Sequence, residues 1–211
     1  MTHVTRRLLL GTAATAAAFA ALPAWAQAQL VPTPRAIEGP FYPRSFPLDS
    51  DSDLVQVAGQ SGRARGTVVY LAGKLLTQDG RPIAGAEIEI WQCDASGIYR
   101  HVGENSRGAD PNFQGYGKTR TAADGAFRFR TIKPVPYPGR TPHIHLIAKA
   151  EGAPKLTTQL YIAGEPQNER DGLFRAMRDP AARDSVLMKF RPAPELEAGA
   201  LFAESRLVLP M

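Results

Sequence analysis

Beyond residue 66, apolar and polar positions alternate along much of the chain, as in strands with one face turned to a core. Thr67-Val68-Val69-Tyr70-Leu71 is β-branched and aromatic, and Lys74-Leu75-Leu76 continues the run. Gln78-Asp79-Gly80-Arg81-Pro82 then supplies the Asp-Gly pair of a tight turn. Ala86-Glu87-Ile88-Glu89-Ile90-Trp91-Gln92 alternates cleanly, as does Phe127-Arg128-Phe129-Arg130 after a second turn at Ala123-Asp124-Gly125. Two more strand-like runs follow, His143-Ile144-His145-Leu146-Ile147 and Thr157-Thr158-Gln159-Leu160-Tyr161-Ile162. Short helices are expected around 170–178 and 180–188, and Ser205-Arg206-Leu207-Val208-Leu209 closes with a strand. Short strands separated by Gly and Pro turns predict an all-β fold, an antiparallel β-sandwich with long loops and one or two short helices. There is no Gly-rich phosphate loop, no alternation of strands with helices and no internal repeat.

Two regions fall outside this pattern. Residues 27–66 are rich in Pro, Gly, Ser and Asp, with Glu38-Gly39-Pro40-Phe41-Tyr42-Pro43 as the most apolar island. Proline is excluded from central strands, so this segment reads as an extended arm laid over the domain, with Phe41 and Tyr42 needing a surface to pack on. Residues 1–26 read as an address. Thr5-Arg6-Arg7-Leu8-Leu9-Leu10 precedes an Ala-rich stretch without acidic residues that ends in the small-x-small pattern Ala24-Trp25-Ala26. The paired arginines resemble a twin-arginine export signal, with an ordinary secretory signal as the alternative. Gly11, Thr12, Thr15 and Pro23 interrupt the apolar run and make it weak as a permanent anchor. The expectation is a periplasmic or secreted protein, cleaved after Ala26 or Ala28 and not inserted in a membrane thereafter. Its domain would span residues 67–211.

Composition changes this picture little. Removing residues 1–26 leaves about 185 residues, enough for one domain with a real core. The formal charge of +5 falls to +3 without the two signal arginines, and basic residues do not cluster with aromatics, so a nucleic-acid partner is not expected. Cys93 is the only cysteine, which excludes an intrachain disulfide despite the oxidising destination.

Candidate chemistry begins with histidine. Beyond the signal there are three: His101, His143 and His145. His143 and His145 sit at i and i+2 of a strand-like run, so both imidazoles leave the same face and can reach one ion above the sheet, while Ile144 points to the opposite layer. The pair alone is compatible with a metal site, a hydrogen-bonded pair or a surface accident. Upstream, Lys133-Pro134-Val135-Pro136-Tyr137-Pro138-Gly139-Arg140 stiffens the backbone around Tyr137 with three prolines. A tyrosine by itself, whether Tyr137 or Tyr99, is more often packing than a ligand.

Four segments, taken in order, resemble the intradiol ring-cleaving dioxygenases, especially the iron-bearing β chain of the protocatechuate 3,4-dioxygenase group. They are Glu38–Pro43, Glu89–His101, the run from Arg130 through Pro136-Tyr137-Pro138 to Arg140-Thr141-Pro142-His143-Ile144-His145, and Thr158-Gln159-Leu160-Tyr161. The resemblance implies one Fe(III) per chain, held by Tyr99 and His145 as equatorial ligands and by Tyr137 and His143 as axial ligands. Phenolates are hard anionic donors that favour ferric iron, and imidazoles complete a mixed N/O set. It implies that Arg140 faces the substrate and stabilises developing negative charge, that Gln159 orients the residues around the metal, and that Gly39 and Pro40 close over the substrate. The implied reaction opens an aromatic 1,2-diol of the catechol or protocatechuate type between its hydroxyl-bearing carbons, incorporating both atoms of O2 to give a cis,cis-muconate-type diacid. Tyr137 would be the ligand that leaves when the diol binds.

Two departures touch the roof of the expected pocket. Gly139 stands where the protocatechuate group commonly has tryptophan, and the stretch from Tyr137 to His143 is shorter. The helical amino-terminal dimerisation region of the catechol branch is also missing, so the resemblance leaves the diol, and whether the protein acts with copies of itself or a related subunit, undetermined. Two other readings compete. Gly80-x-Pro82-Ile83-x-Gly85-Ala86 with Asp124-Gly125-x-Phe127 also resembles non-catalytic transthyretin-like and carboxypeptidase-regulatory-like modules. The third is a family member that binds iron without turnover.

Overall fold

The computed structural model describes residues 29–211; the export signal expected at 1–26 lies outside them. Among the described residues, nine strands form two sheets. The first has the order β4 (Ala126–Ile132), β1 (Val68–Thr77), β9 (Leu201–Leu209), β8 (Phe190–Pro192). The second runs β3 (Tyr116–Arg120), β2 (Glu87–Trp91), β5 (His143–Lys149), β6 (Leu156–Ile162), β7 (Leu187–Met188). Their inner faces share one core, with Val69, Leu71, Leu75, Phe127, Phe129 and Leu207 from one sheet against Ile88, Ile90, Ile144, Leu146 and Leu160 from the other. This is the expected sandwich. Most pairings are antiparallel, but β1 pairs parallel with β9 and β6 with β7. Parallel neighbours require long crossovers, so no local turn signal announces them.

Several elements differ from their predicted outlines. β1 continues through Gly73, where an added Cβ would lie 2.2 Å from Phe127 Cζ; the missing side chain leaves room for that ring. β3 has no alternating pattern to announce it. Its Gly117 admits the arm backbone, since a Cβ there would sit 2.4 Å from the Asp51 carbonyl oxygen. The first expected helix divides into a 3-10 turn at Pro166–Arg170 and α1 at Gly172–Ala176, separated by Asp171, which caps α1. The second, α2, spans Pro180–Ser185, and after Val186 the chain joins the sheet as β7.

Residues 29–66 lie outside the sheets apart from a single bridge between Asp53 and Arg130. Even so, Leu54 and Val55 are fully buried in the core, an anchor that the apolar island at 38–43 did not foretell. The arm and the loops that precede β3 and β5 cover the outer face of the second sheet. As a result β5 is buried on both faces up to Lys149. A smaller cluster of Trp91, Cys93, Tyr99, Val102, Tyr116 and Ile147 forms there, with Phe41, Tyr42, Val135 and Tyr137 packed against it. No helix among the described residues is long and apolar enough to cross a membrane.

Candidate metal centre

His143 and His145 project from β5 into this outer cluster, each at most 2% exposed. The strands on either side fix their surroundings. His145 is registered with Gln159 on β6 and Trp91 on β2, and the Trp91 indole stacks on its ring at 4.7 Å and 12°. His143 Nδ1 lies 2.6 Å from the Thr141 carbonyl oxygen, so Nδ1–H donates there and Nε2 keeps its lone pair. That nitrogen is 3.1 Å from Nε2 of His145.

The two tyrosines arrive from loops whose conformation is locally encoded. Asp94 Oδ1 accepts from the Ser96 and Ile98 amides, and Gly97 takes φ +80°, turning the chain after β2 so that Tyr99 points inward. Tyr137 begins a turn closed by the Arg140 amide donating to its carbonyl at 2.9 Å, with Pro138 and Gly139 (φ +80°) at the centre. Proline followed by a glycine of positive φ is the type II pattern. The rings of Tyr99 and Tyr137 are 5.6 Å apart and nearly perpendicular; Tyr99 lies 6.1 Å from His145, and Tyr137 lies 5.5 Å from His143. Phe41 of the arm stacks flat on Tyr99 at 4.4 Å and meets Tyr137 edge-on at 5.6 Å.

The other selected residues frame this group. Arg140 NH1 donates to Tyr137 Oη at 3.3 Å, NH2 to Gln159 Oε1 at 2.6 Å and Nε to Asp171 Oδ2 at 2.8 Å. Gln159 Nε2 donates to the Ile37 carbonyl at 3.2 Å, tying the arm to β6. Gly39 sits where a Cβ would be 3.6 Å from His145 Cε1, and Pro40 is exposed at the bend. His101 stands apart, its Nε2 3.0 Å from the Gln114 carbonyl. The thiol of Cys93 is directed at the Val135 carbonyl and pushed up to about 12 by burial, which leaves it inert. Sequence reasoning did not select Asp171, Asn168, Thr141 or the stacking role of Trp91. The cap pattern of Asp171 ahead of Leu173 and Phe174 was readable, but its partner 31 residues away was not.

Electrostatically the group is set for neutral nitrogen donors. Burial, reinforced by the Arg140 charge, pulls His143 down to about 4. Burial followed by the neighbouring His143 holds His145 well below the ordinary imidazole range. Burial raises both phenols, Tyr99 strongly, while the Arg140 guanidinium opposes the rise at Tyr137. Among the described residues, three buried polar atoms around this group have no hydrogen-bond partner: Tyr99 Oη, His145 Nδ1 and Trp91 Nε1. Orphaned buried polar groups are costly and call for an explanation. For Tyr99 Oη, an ion among the four rings would supply one, with the phenol bound as phenolate. No cluster of three or more His, Cys, Asp or Glu suited to a metal exists among the described residues, so any ion here would depend on the phenols. Two imidazoles and two phenols, without a thiolate, suit a hard, highly charged cation.

Comparison with known proteins gives the same assignment at the level of family. A family model described as Dioxygenase matches residues 37–195. The protocatechuate 3,4-dioxygenase beta chain of Burkholderia cepacia is 36% identical over 169 residues, covering 75% of this chain and 71% of that one. The hydroxyquinol 1,2-dioxygenase of Corynebacterium glutamicum is 30% identical over 178 residues, and there the match spans only 54% of the relative's length. Among solved structures, the dioxygenase domain of a dioxygenase and carbohydrate-binding protein fusion from Streptomyces sp. SirexAA-E has a TM-score of 0.67 and 35% identity, covering 86% of this chain and 99% of that one. With the family model spanning most of the sandwich and arm, the chain belongs to the intradiol ring-cleaving dioxygenase family.

Proposed function

We propose that this protein is an Fe(III)-dependent intradiol dioxygenase that opens an aromatic 1,2-diol with O2 to a cis,cis-muconate-type diacid. The observation that carries the reading is the meeting of His143, His145, Tyr99 and Tyr137 around one volume, with Tyr99 Oη buried and unpartnered. These four residues would hold the ion, one per chain, and Fe(III) bound there would supply Lewis-acid activation of the chelated diol. The chain's own residues divide the remaining work. Tyr99 is buried beneath Phe41 and keeps its place. Tyr137 is half-buried with its oxygen beside Arg140, so it is the phenol free to swing out and take up a proton from the incoming diol. The Arg140 guanidinium, fixed in a partly buried position, stabilises negative charge on the bound ring. Gln159 holds Arg140 and the arm together, and the arm at Gly39 and Pro40 covers the substrate and excludes water.

Iron content, visible spectrum and O2 uptake test this proposal. The expected results are about one iron per chain, a burgundy tyrosinate charge-transfer band, and O2 consumption with at least one of catechol, protocatechuate or hydroxyquinol. Colourless, iron-free protein from iron-replete cells would overturn the metal assignment. Iron-loaded protein that consumes no O2 with any diol would leave a binding protein without turnover. We further propose that residues 1–26 direct twin-arginine export of the folded domain; activity confined to the cytoplasm would refute that. Light scattering on the purified protein separates a lone chain from a homo-oligomer and from one that needs a related subunit.

A further inference from the structure

Asp171 has a completely buried side chain, and both of its oxygens are committed. Oδ1 accepts from the Leu173 and Phe174 amides at 2.9 and 3.0 Å, capping α1. Oδ2 accepts from Arg140 Nε at 2.8 Å and from the Thr141 amide at 3.0 Å. A helix cap needs only one oxygen, and serine, threonine or asparagine serves as well. The second oxygen and the negative charge are therefore surplus to capping, and both are directed at Arg140 and the peptide bond that follows it. The Thr141 carbonyl in turn receives His143 Nδ1–H at 2.6 Å. Scaffolding of the same loop falls to a different residue: Asn168 accepts from the Thr141 hydroxyl and donates to the Ile162 carbonyl, both at 2.8 Å.

We propose that Asp171 is the positioning residue of the active site, a buried carboxylate that locks the Arg140 guanidinium with NH1 facing Tyr137 and steadies the loop that orients His143. Resting on the reading that Arg140 faces the substrate, this adds a residue from α1 to the machinery. Sub-ångström placement of a charged group matters because a misplacement of about 1 Å can cost about 100-fold in rate.

The test uses Asp171→Asn in the full chain, since asparagine keeps the cap and loses the second carboxylate oxygen. Its kcat/KM should fall about 100-fold with iron content and the resting visible band retained. In an Arg140→Ala background the same change should cost less than about threefold, because the two residues act as one unit. A readout independent of turnover is the Arg140 Nε–H resonance in diamagnetic protein, metal-free or gallium(III)-loaded, assigned by its loss in Arg140→Lys. It should exchange slowly in wild type and rapidly in Asp171→Asn. Asp171→Thr, which caps through its hydroxyl, serves if the asparagine variant does not fold. Full additivity with Arg140→Ala, or an Nε–H signal indifferent to residue 171, overturns the proposal. If wild type turned over no diol, the proposed function would fall while the resonance still decided the role of Asp171.

Discussion

The Tyr99 phenol illustrates how one atom can carry opposite consequences in two states of a protein. Its Oη is buried without a partner, so in metal-free protein the hydroxyl is a net cost. Tyr99→Phe should therefore stabilise the metal-free chain by about 1 kcal/mol, read by urea denaturation, while abolishing most of the visible band on iron loading. Tyr137→Phe removes an oxygen that already has Arg140 NH1 at 3.3 Å, and it should alter the band in a different way, because this phenol is the one expected to leave on substrate binding. Identical spectra for the two variants on adding substrate would contradict these roles. The residues differ in how legible they were. Strand period places His143 and His145 on one face, since i and i+2 share it, and so made them a candidate pair without deciding what they hold. Neither tyrosine follows from any pattern, because each is placed by a turn whose direction depends on Asp94, Gly97, Pro138 and Gly139; only the resemblance singled them out. Asp171 was missed because its cap is local and its partner Arg140 is 31 residues away.

Among elements, the arm is the one whose attachment would decide access to the proposed site. Tyr42 Oη donates to Glu89 at 2.6 Å, and Lys149 completes an ion pair with the same carboxylate on the outer face of the second sheet. Burial alone would raise the Glu89 carboxyl, but the hydrogen bonds from Lys149 and Tyr42 outweigh it and hold it below its ordinary range. A depressed carboxylate stabilises above its unfolded pKa, and that contribution is lost as pH falls through the folded value. Arm ordering should accordingly weaken as pH falls below the ordinary carboxylate range, followed by Trp91 fluorescence, and Glu89→Gln should remove that pH dependence. At neutral pH, Tyr42→Phe should weaken the attachment by about 1–3 kcal/mol and speed tryptic cleavage after the exposed Arg44. Unchanged cleavage would mean that the latch does not hold the arm. Gly117 tests the other anchor: Gly117→Ala forces a Cβ against the Asp51 carbonyl and should destabilise the domain by about 1–3 kcal/mol. The prolines announced the arm as irregular, but its contact with β3 could not be foreseen, because the residue that permits it has no side chain.

At the scale of the molecule, the sandwich was legible because alternation repeats in strand after strand, whereas its parallel closures join residues distant in sequence, Val69 with Leu201 and Tyr161 with Leu187. The same architecture separates two kinds of stability. Between the sheets lies a core built without any candidate ligand, while the outer cluster contains the rings of Tyr99, Tyr137 and His145. An ion there would link the loop after β2, the turn before β5 and β5 itself, none of which the inner core requires. An ion that binds the folded state alone would stabilise it by RT ln(1 + [L]/Kd), about 4 kcal/mol at a thousandfold excess over Kd. Chelation should consequently lower the melting temperature while leaving the far-ultraviolet spectrum of the sheets intact at 25 °C. Hydrogen exchange should locate the change, quickening amides of the 93–102 and 133–142 loops and sparing β1, β4 and β9. Loss of the whole sandwich on chelation would show that the ion is part of the fold itself, and exchange unaltered in those two loops would place the ion elsewhere.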